Sequence, residues 1–355
     1  MSDILDPSTV SPEFVKEGAD WLAVFNPNVP RVMDVKLLSK FVHDKVVCSA
    51  KLSPDGRTLA VGLDGGVRLY DVATEQRVAL VSENAAGETG RNYVRSVAWS
   101  PDGRLLASGS EDKLVRVWSF ANRELVHTFS GHQREVYALD FTLDSNTLIS
   151  ASGDRTLRLW DVSPSAPSEQ TGKRVLAVED DRNNPNTAIT TVAASPDGKH
   201  VASGALDGTV RVWDISADEG KGKAVVRWQA HEQGVYSLRF VLQGKGLVTG
   251  SLDQTLKRWE LGFMSGAENS CVKTLVGHKD CVLGVATLQE GQVLRAASAS
   301  RDGTIRLWDL KTGQTLFLVQ GHRSTVTSVD LNSDSSLLVS GSGDGEARIW
   351  KYSIF

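Results

Sequence analysis

Histidine, hydroxyl and carboxylate side chains recur as matched groups along the chain: His132, Ser150 and Asp154; His231, Thr249 and Asp253; His278, Ser298 and Asp302; His322, Ser340 and Asp344. Nucleophilic hydrolysis uses these types, the imidazole taking the hydroxyl proton while the carboxylate orients the ring. Each group is followed, six residues after its aspartate, by Trp160, Trp259, Trp308 or Trp350. An indole N–H, a hydroxyl, an imidazole and a carboxylate can satisfy one another in a chain, as buried polar groups require. An active site is normally singular, whereas a structural staple repeats. These groups therefore read as scaffold, as does the basic residue two before each aromatic (Arg68, Arg116, Arg158, Arg211, Lys257, Arg306, Arg348). There is no Walker loop, dinucleotide fingerprint or His-Glu-x-x-His, and the glycines at 341, 343 and 345 belong to a turn.

Groups spaced so regularly need elements that repeat with them. Leu148 to Asp161 reads as an apolar strand, a Gly/Ser turn closed by Asp154, and a second strand ending in Trp160-Asp161. The same skeleton returns as Asp64…Tyr70, Asp112…Trp118, Asp207…Trp213, Asp253…Trp259, Asp302…Trp308 and Asp344…Trp350. Repeats of roughly 40–50 residues ending in Trp-Asp are the signature of propeller blades. A length of 355 residues would suggest about two domains. One blade cannot bury its own faces, however, so the repeats must stack into one. The expected fold is all-β: a seven-bladed propeller over residues 34–355, with residues 1–33 as an N-terminal extension packed on it or trailing from it.

In the second repeat the strands read as Tyr93–Trp99, Leu105–Ser110, Leu114–Trp118 and Leu125–Phe129. Ser-Pro-Asp-Gly recurs at Ser53–Gly56, Ser100–Gly103 and Ser195–Gly198 as a turn in which proline presets φ and glycine accepts a positive one. Trp21 to Pro30 is apolar but punctuated by prolines and is expected to lie along the surface. A strand at about 34–42 precedes the first unit, while the last unit stops at Trp350. Pairing the two would close the ring and remove two exposed edges. The inserts Ser82–Asn92, Ser163–Lys173, Asp180–Asn186, Ser216–Lys223 and Gly262–Ser270 read as surface loops, with Asp218–Lys223 a solvated face.

A formal charge of −4 offers no basic footprint for nucleic acid. Cys48, Cys271 and Cys281 are too few and scattered for a disulfide framework or a metal site, and no cofactor is expected. With no signal peptide, glycosylation acceptor or long apolar run, secretion and membrane insertion are disfavoured, and an intracellular chain is expected.

If the scaffold is common to all blades, specificity lies where equivalent positions differ. Five residues after the histidine, or its aligned equivalent, stand Cys48, Arg95, Tyr137, Thr190, Tyr236, Leu283 and Thr327. Immediately before the turn aspartate stand Leu63, Glu111, Gly153, Leu206, Leu252, Arg301 and Gly343. Aromatic and apolar anchors with Arg95, Glu111 and Arg301 at a polar edge are what a peptide-binding hot spot needs. The plainer alternative is that some of them plug a channel. Cys48 reads as a small hydrophobe rather than a reactive thiol. The first, second and fourth repeats depart from the Gly-His pattern and are expected to be less rigidly stapled, with loops free for partner contacts.

Over about residues 34–352 the chain resembles a WD-repeat propeller. A closer likeness is to the C-terminal propeller of the fungal Tup-type general corepressors, relatives of the animal Groucho proteins. It is carried by Trp21–Pro30 with Asp34–Leu37, Val46–Leu52, Tyr93–Val97, Val136–Leu139, Val235–Leu238, Gly277–Val285, Gln320–Ser324 and Ala347–Tyr352, and by the insert in the second blade. This resemblance implies a nuclear, non-catalytic scaffold that DNA-binding transcription repressors recruit through one rim face, with histones and other corepressor subunits as further partners and no direct sequence-specific DNA binding. By matching positions, Cys48, Tyr137, Tyr236, Leu283 and Ser324 would sit on that face. The family's N-terminal oligomerising helix has no counterpart in residues 1–33, which implies either a fragment of a longer corepressor or a protein that does not tetramerise in the family's way.

Three other readings compete. A peptide reader or substrate receptor in a chromatin or ubiquitin-ligase complex would need an adaptor motif or an acidic aromatic pocket. An enzyme would need one His/Ser/Asp group set apart in an open cleft. A G-protein β-type reading would need a long N-terminal helix.

Overall fold

The computed structural model describes residues 5–82, 92–166, 174–178, 187–216, 224–263, 266–291 and 293–355. The described residues form seven antiparallel sheets, each running outward from an inner strand in sequence order except at the outer edges of blades six and seven, which are completed by strands from the N-terminal end of the chain. The inner strands of blades one to seven are Ser49–Leu52, Val94–Trp99, Val136–Phe141, Ile189–Ala194, Val235–Val241, Val282–Glu290 and Val326–Asn332. Each lies beside the next, and the seventh beside the first, so the ring is closed. Most of the inserts named above fall outside the described residues, Asp218–Lys223 entirely so.

The blades are built as their sequences require. Strands apolar on both faces lie between neighbouring sheets, and Trp160, Trp213, Trp308 and Trp350 are wholly buried between blades. The second blade consists of Val94–Trp99, Leu105–Ser110, Val115–Ser119 and Glu124–Phe129, within a residue of the boundaries expected. In the Ser-Pro-Asp-Gly turns, Gly56, Gly103 and Gly198 take φ of 69°, 71° and 68°, where a side chain is strained. The turn serines are buried, and the hydroxyls of Ser53, Ser100 and Ser195 accept the amides of Thr58, Leu105 and His200, each at 2.9 Å.

Ring closure follows the expected route. Met33–Val42 pairs antiparallel with Glu346–Ile354, from Met33 opposite Ile354 to Val42 opposite Glu346. Neighbouring inner strands are also stitched by side chains. Ser49, Ser96, Ser237 and Ser328 accept the amides of Val97, Leu139, Val285 and Ala50 in the next blade, at 2.9–3.3 Å.

The segment after Trp21 differs from expectation. Leu22–Phe25 is a strand added to the outer edge of blade six, with Leu22 opposite Gln320 and Phe25 opposite Phe317. Val15–Glu17 pairs back on it, giving that sheet six strands. Asn26-Pro27 and Pro30 do break the run, but four residues between turns suffice for a strand when an apolar edge awaits. The edge is Thr315–Gln320, and Ala23, Val24 and Phe25 become buried against it. Covering it removes an unpaired ladder.

Candidate partner-binding mouth of the channel

The His/Ser/Asp groups are assembled as the sequence suggests. His132 Nδ1 donates to Asp154 Oδ2 at 2.8 Å, its Nε2 meets Ser150 Oγ at 2.7 Å, and Trp160 Nε1 donates to the same oxygen at 2.8 Å. The relay repeats from Trp259 through Thr249 and His231 to Asp253, from Trp308 through Ser298 and His278 to Asp302, and from Trp350 through Ser340 and His322 to Asp344. Burial is the largest single influence and opposes ionisation of these four aspartates, but the histidine bond and charge, with the further bonds from threonine hydroxyls or backbone amides, together outweigh it and hold each carboxyl well below the usual range. The bond order matches a hydrolase relay. Access does not: every histidine side chain is 0 or 1% exposed, and each hydroxyl lies under an indole.

Two departing blades are stapled by other means. In blade one, where Ala60 supplies no hydroxyl, Tyr70 reaches His43 directly, its oxygen 3.0 Å from Nε2. The His43 Nδ1–H donates to Gly345 O at 3.0 Å, so Nε2 accepts from the phenol, and burial pushes the imidazole's pKa down. In blade two, Asn92 replaces the histidine: its Nδ2 donates to Asp112 Oδ2 at 3.0 Å, and its Oδ1 accepts the Asp112 amide at 3.1 Å. Blade four keeps the outer half, Trp213 donating to Ser203 Oγ at 2.8 Å. The basic residues are scaffold too: Arg158, Lys257, Arg306 and Arg348 lie about 6 Å from the rings of Trp160, Trp259, Trp308 and Trp350.

The first set of variable positions converges. Cys48, Arg95, Tyr137, Thr190, Tyr236, Leu283 and Thr327 all line one channel of about 370 Å³ on the ring axis. The backbone supplies the reason. In blades two to seven the pairing between inner and second strands skips one residue, at Arg95, Tyr137, Thr190, Tyr236, Leu283 and Thr327. A bulged residue leaves the ladder and its side chain is re-aimed. Here six bulges aim six side chains into one opening.

These side chains are not alike in what remains available. Tyr236 is exposed, while Tyr137 and Leu283 are half-buried. Arg95 Nε donates to Glu111 Oε1 at 3.0 Å, and its guanidinium lies 5.4 Å from the Tyr93 ring. Arg301 is exposed, 3.7 Å from Asp280, and Ser324 is exposed near Gly343. The Thr327 hydroxyl is already committed, donating toward Val47 O at 2.6 Å and Gly341 O at 2.9 Å. Thr190 likewise bonds Val235 O and Gly204 O. Burial pushes the Cys48 thiol up to about 11, so it is a neutral hydrophobe at the rim. Leu63 is a correction: at 3% exposure it belongs to the core between blades seven and one. Below the mouth lie Lys51, Asp140, Arg239 and Asp330, which the sequence reading did not single out.

Seven blades with a common core of four strands, the sixth extended by two N-terminal strands, each carrying a turn aspartate and an aromatic six residues on, decide the family. This chain is a WD-repeat propeller. It matches the family described as the first β-propeller of IFT122 over residues 46–261, and the WD domain, G-beta repeat, over 269–309 and 313–351. Among curated proteins this propeller is 40% identical to the transcriptional repressor rco-1 of Neurospora crassa, over 98% of the chain and 57% of that protein. It is 34% identical to the general transcriptional corepressor TUP1 of Saccharomyces cerevisiae, over 98% of the chain and 56% of the relative. Protein groucho of Drosophila melanogaster is 25% identical over 93% of the chain and 42% of its own length. The propeller thus spans little more than half the length of the first two relatives.

Proposed function

We propose that this propeller is the recruiting module of a nuclear transcriptional corepressor, a non-catalytic scaffold whose channel mouth takes short segments of DNA-binding repressors. Histones and other corepressor subunits are the further partners of this reading. The observation that carries it is the convergence of six bulged side chains on one opening, with Tyr236 exposed and Tyr137 and Leu283 partly so. Large apolar anchors in a concave site, rimmed by the Arg95–Glu111 pair and Arg301, have the anatomy of a binding hot spot. The likeness to rco-1 and TUP1, both named for repression, supplies the partner class. The formal charge of −4 gives no support to direct DNA binding.

The test is affinity capture from fungal nuclear extract, comparing the chain with a Tyr137→Ala/Tyr236→Ala variant of unchanged circular dichroism. Loss of DNA-binding repressors from the variant is the expected result. Identical capture by both would move recruitment off the mouth, and capture of no repressor by either would leave only the fold.

A further inference from the structure

Beneath the mouth, the channel carries a second layer that breaks the pseudo-symmetry of the ring. It lies four residues after the apolar residue that opens the inner strand in blades two to seven, and four after Val47, just ahead of that strand, in blade one. Blades two, four and six place alanine there (Ala98, Ala193, Ala286), whereas blades one, three, five and seven place Lys51, Asp140, Arg239 and Asp330. The signs alternate around the ring, and all four charged residues line the channel.

The four do not close into two equivalent ion pairs. Lys51 Nζ donates to Asp330 Oδ1 at 2.8 Å, and Asp330 Oδ2 accepts the Leu52 amide at 3.1 Å, so that half is satisfied. Asp140 and Arg239 make no ion pair among the described residues. The Asp140 oxygens accept the amides of Ala194 at 2.9 Å and Phe141 at 3.1 Å. Arg239 places one nitrogen on Leu238 O at 2.8 Å, leaving most of its five donors for the channel. Burial outweighs the nearby Arg239 charge and raises the Asp140 pKa, a sign of an incompletely compensated carboxylate.

Blades three and five therefore present the same aromatic at the mouth, Tyr137 and Tyr236, and opposite charges three residues further down. Three residues of strand place the charges roughly 10 Å below the tyrosines. The tyrosines alone give a docked segment no direction; the charges do. We propose that this layer selects, among segments docked on the mouth, those carrying one long basic and one long acidic side chain, the basic one directed to Asp140 and the acidic one to Arg239. The inference rests on the reading that the mouth binds short segments. About 370 Å³ admits side chains but no folded element, and two charge-assisted contacts would fix register and polarity rather than add much affinity.

The test is selection of random 12-residue peptides displayed on phage against four immobilised forms of the full chain: unaltered, Asp140→Asn, Arg239→Gln, and Tyr137→Ala/Tyr236→Ala. Circular dichroism checks the fold of each, and the Arg239→Gln arm stands by itself should the loss of an Asp140 acceptor disturb blade four. The expected result is that peptides selected on the unaltered chain are enriched in paired basic and acidic residues at a fixed spacing. Asp140→Asn should abolish the basic preference alone, Arg239→Gln the acidic preference alone, and the tyrosine variant should select nothing. Peptides that need the tyrosines but show the same charge composition on all folded channel variants would overturn the proposal and leave the mouth reading intact. No peptide selected by the unaltered chain, or peptides indifferent to the tyrosines, would sink the mouth reading and the inference with it.

Discussion

At the scale of single residues, the protein turns a potentially reactive set of side chains into fixed connections. The Tyr70 hydroxyl does in blade one what a serine and a tryptophan do elsewhere, and its removal should be felt. Tyr70→Phe leaves the buried His43 Nε2 without its donor, at a cost of about 1–3 kcal/mol. Urea denaturation reads this, and a midpoint unchanged from the parent would show the bond to be idle. The four staple aspartates make acid stability a collective property. Their folded pKa values lie below the unfolded ones, so the folded chain binds fewer protons and their stabilisation is complete above about pH 4. It is lost as pH falls through the folded values. The transition should therefore be steep below about pH 4, and Asp154→Asn should both lower stability at pH 7 and flatten that acid limb. Cys48 gives a simpler check: with its thiol pushed up to about 11, iodoacetamide at pH 8 should label exposed Cys271 and leave Cys48 unmodified in the folded chain.

At the scale of strands and turns, what could be read in advance depended on whether the signal was local. The aspartate-to-aromatic spacing lies within one hairpin, so the blades and their number were legible. The histidine staples were legible for the same reason, each arising from repeated residues of one blade. Asn92 escaped notice because an amide can do part of an imidazole's work only once the loop has placed it beside Asp112. Leu22–Phe25 escaped because four apolar residues between prolines carry no periodicity, and their partner strand lies some 290 residues away along the chain. The rim positions were found by counting from the histidine, but the bulges that aim them, and the charged layer below, exist only in the paired strands. The added strand carries its own prediction. Phe25 is buried against Phe317, with ring centroids 5.4 Å apart, so Phe25→Ala should cost about 3 kcal/mol or more. Thermal unfolding should drop accordingly, while capture of partners by the mouth stays unchanged, because blade six's outer edge lies away from the channel.

At the scale of the whole molecule, a propeller is a ring made from a linear chain, and its weak point is where the ends meet. Here that junction is reinforced on both sides of the sheet. On the outside, Met33–Val42 supplies the fourth strand of blade seven. On the inside, Asp330 grips Lys51 and the Leu52 amide, Thr327 donates to Val47 O, and Asn332 Nδ2 donates to Pro54 O at 2.9 Å, contacts that join residues 278 to 280 positions apart in the chain. The two reinforcements should fail differently. Asp330→Asn weakens one inner stitch among several and should leave a monomer with a modestly lowered midpoint. Deleting residues 1–42 instead strips the ladder from Glu346–Ile354 and uncovers blade six as well, leaving apolar edges that can pair with other copies. That truncated chain should elute from size-exclusion chromatography as oligomers or aggregate, whereas the Asp330→Asn chain should not. A truncated chain that stayed monomeric with an unchanged melting temperature would mean that the inner stitches alone hold the ring, and that the closing strand serves some purpose other than closure.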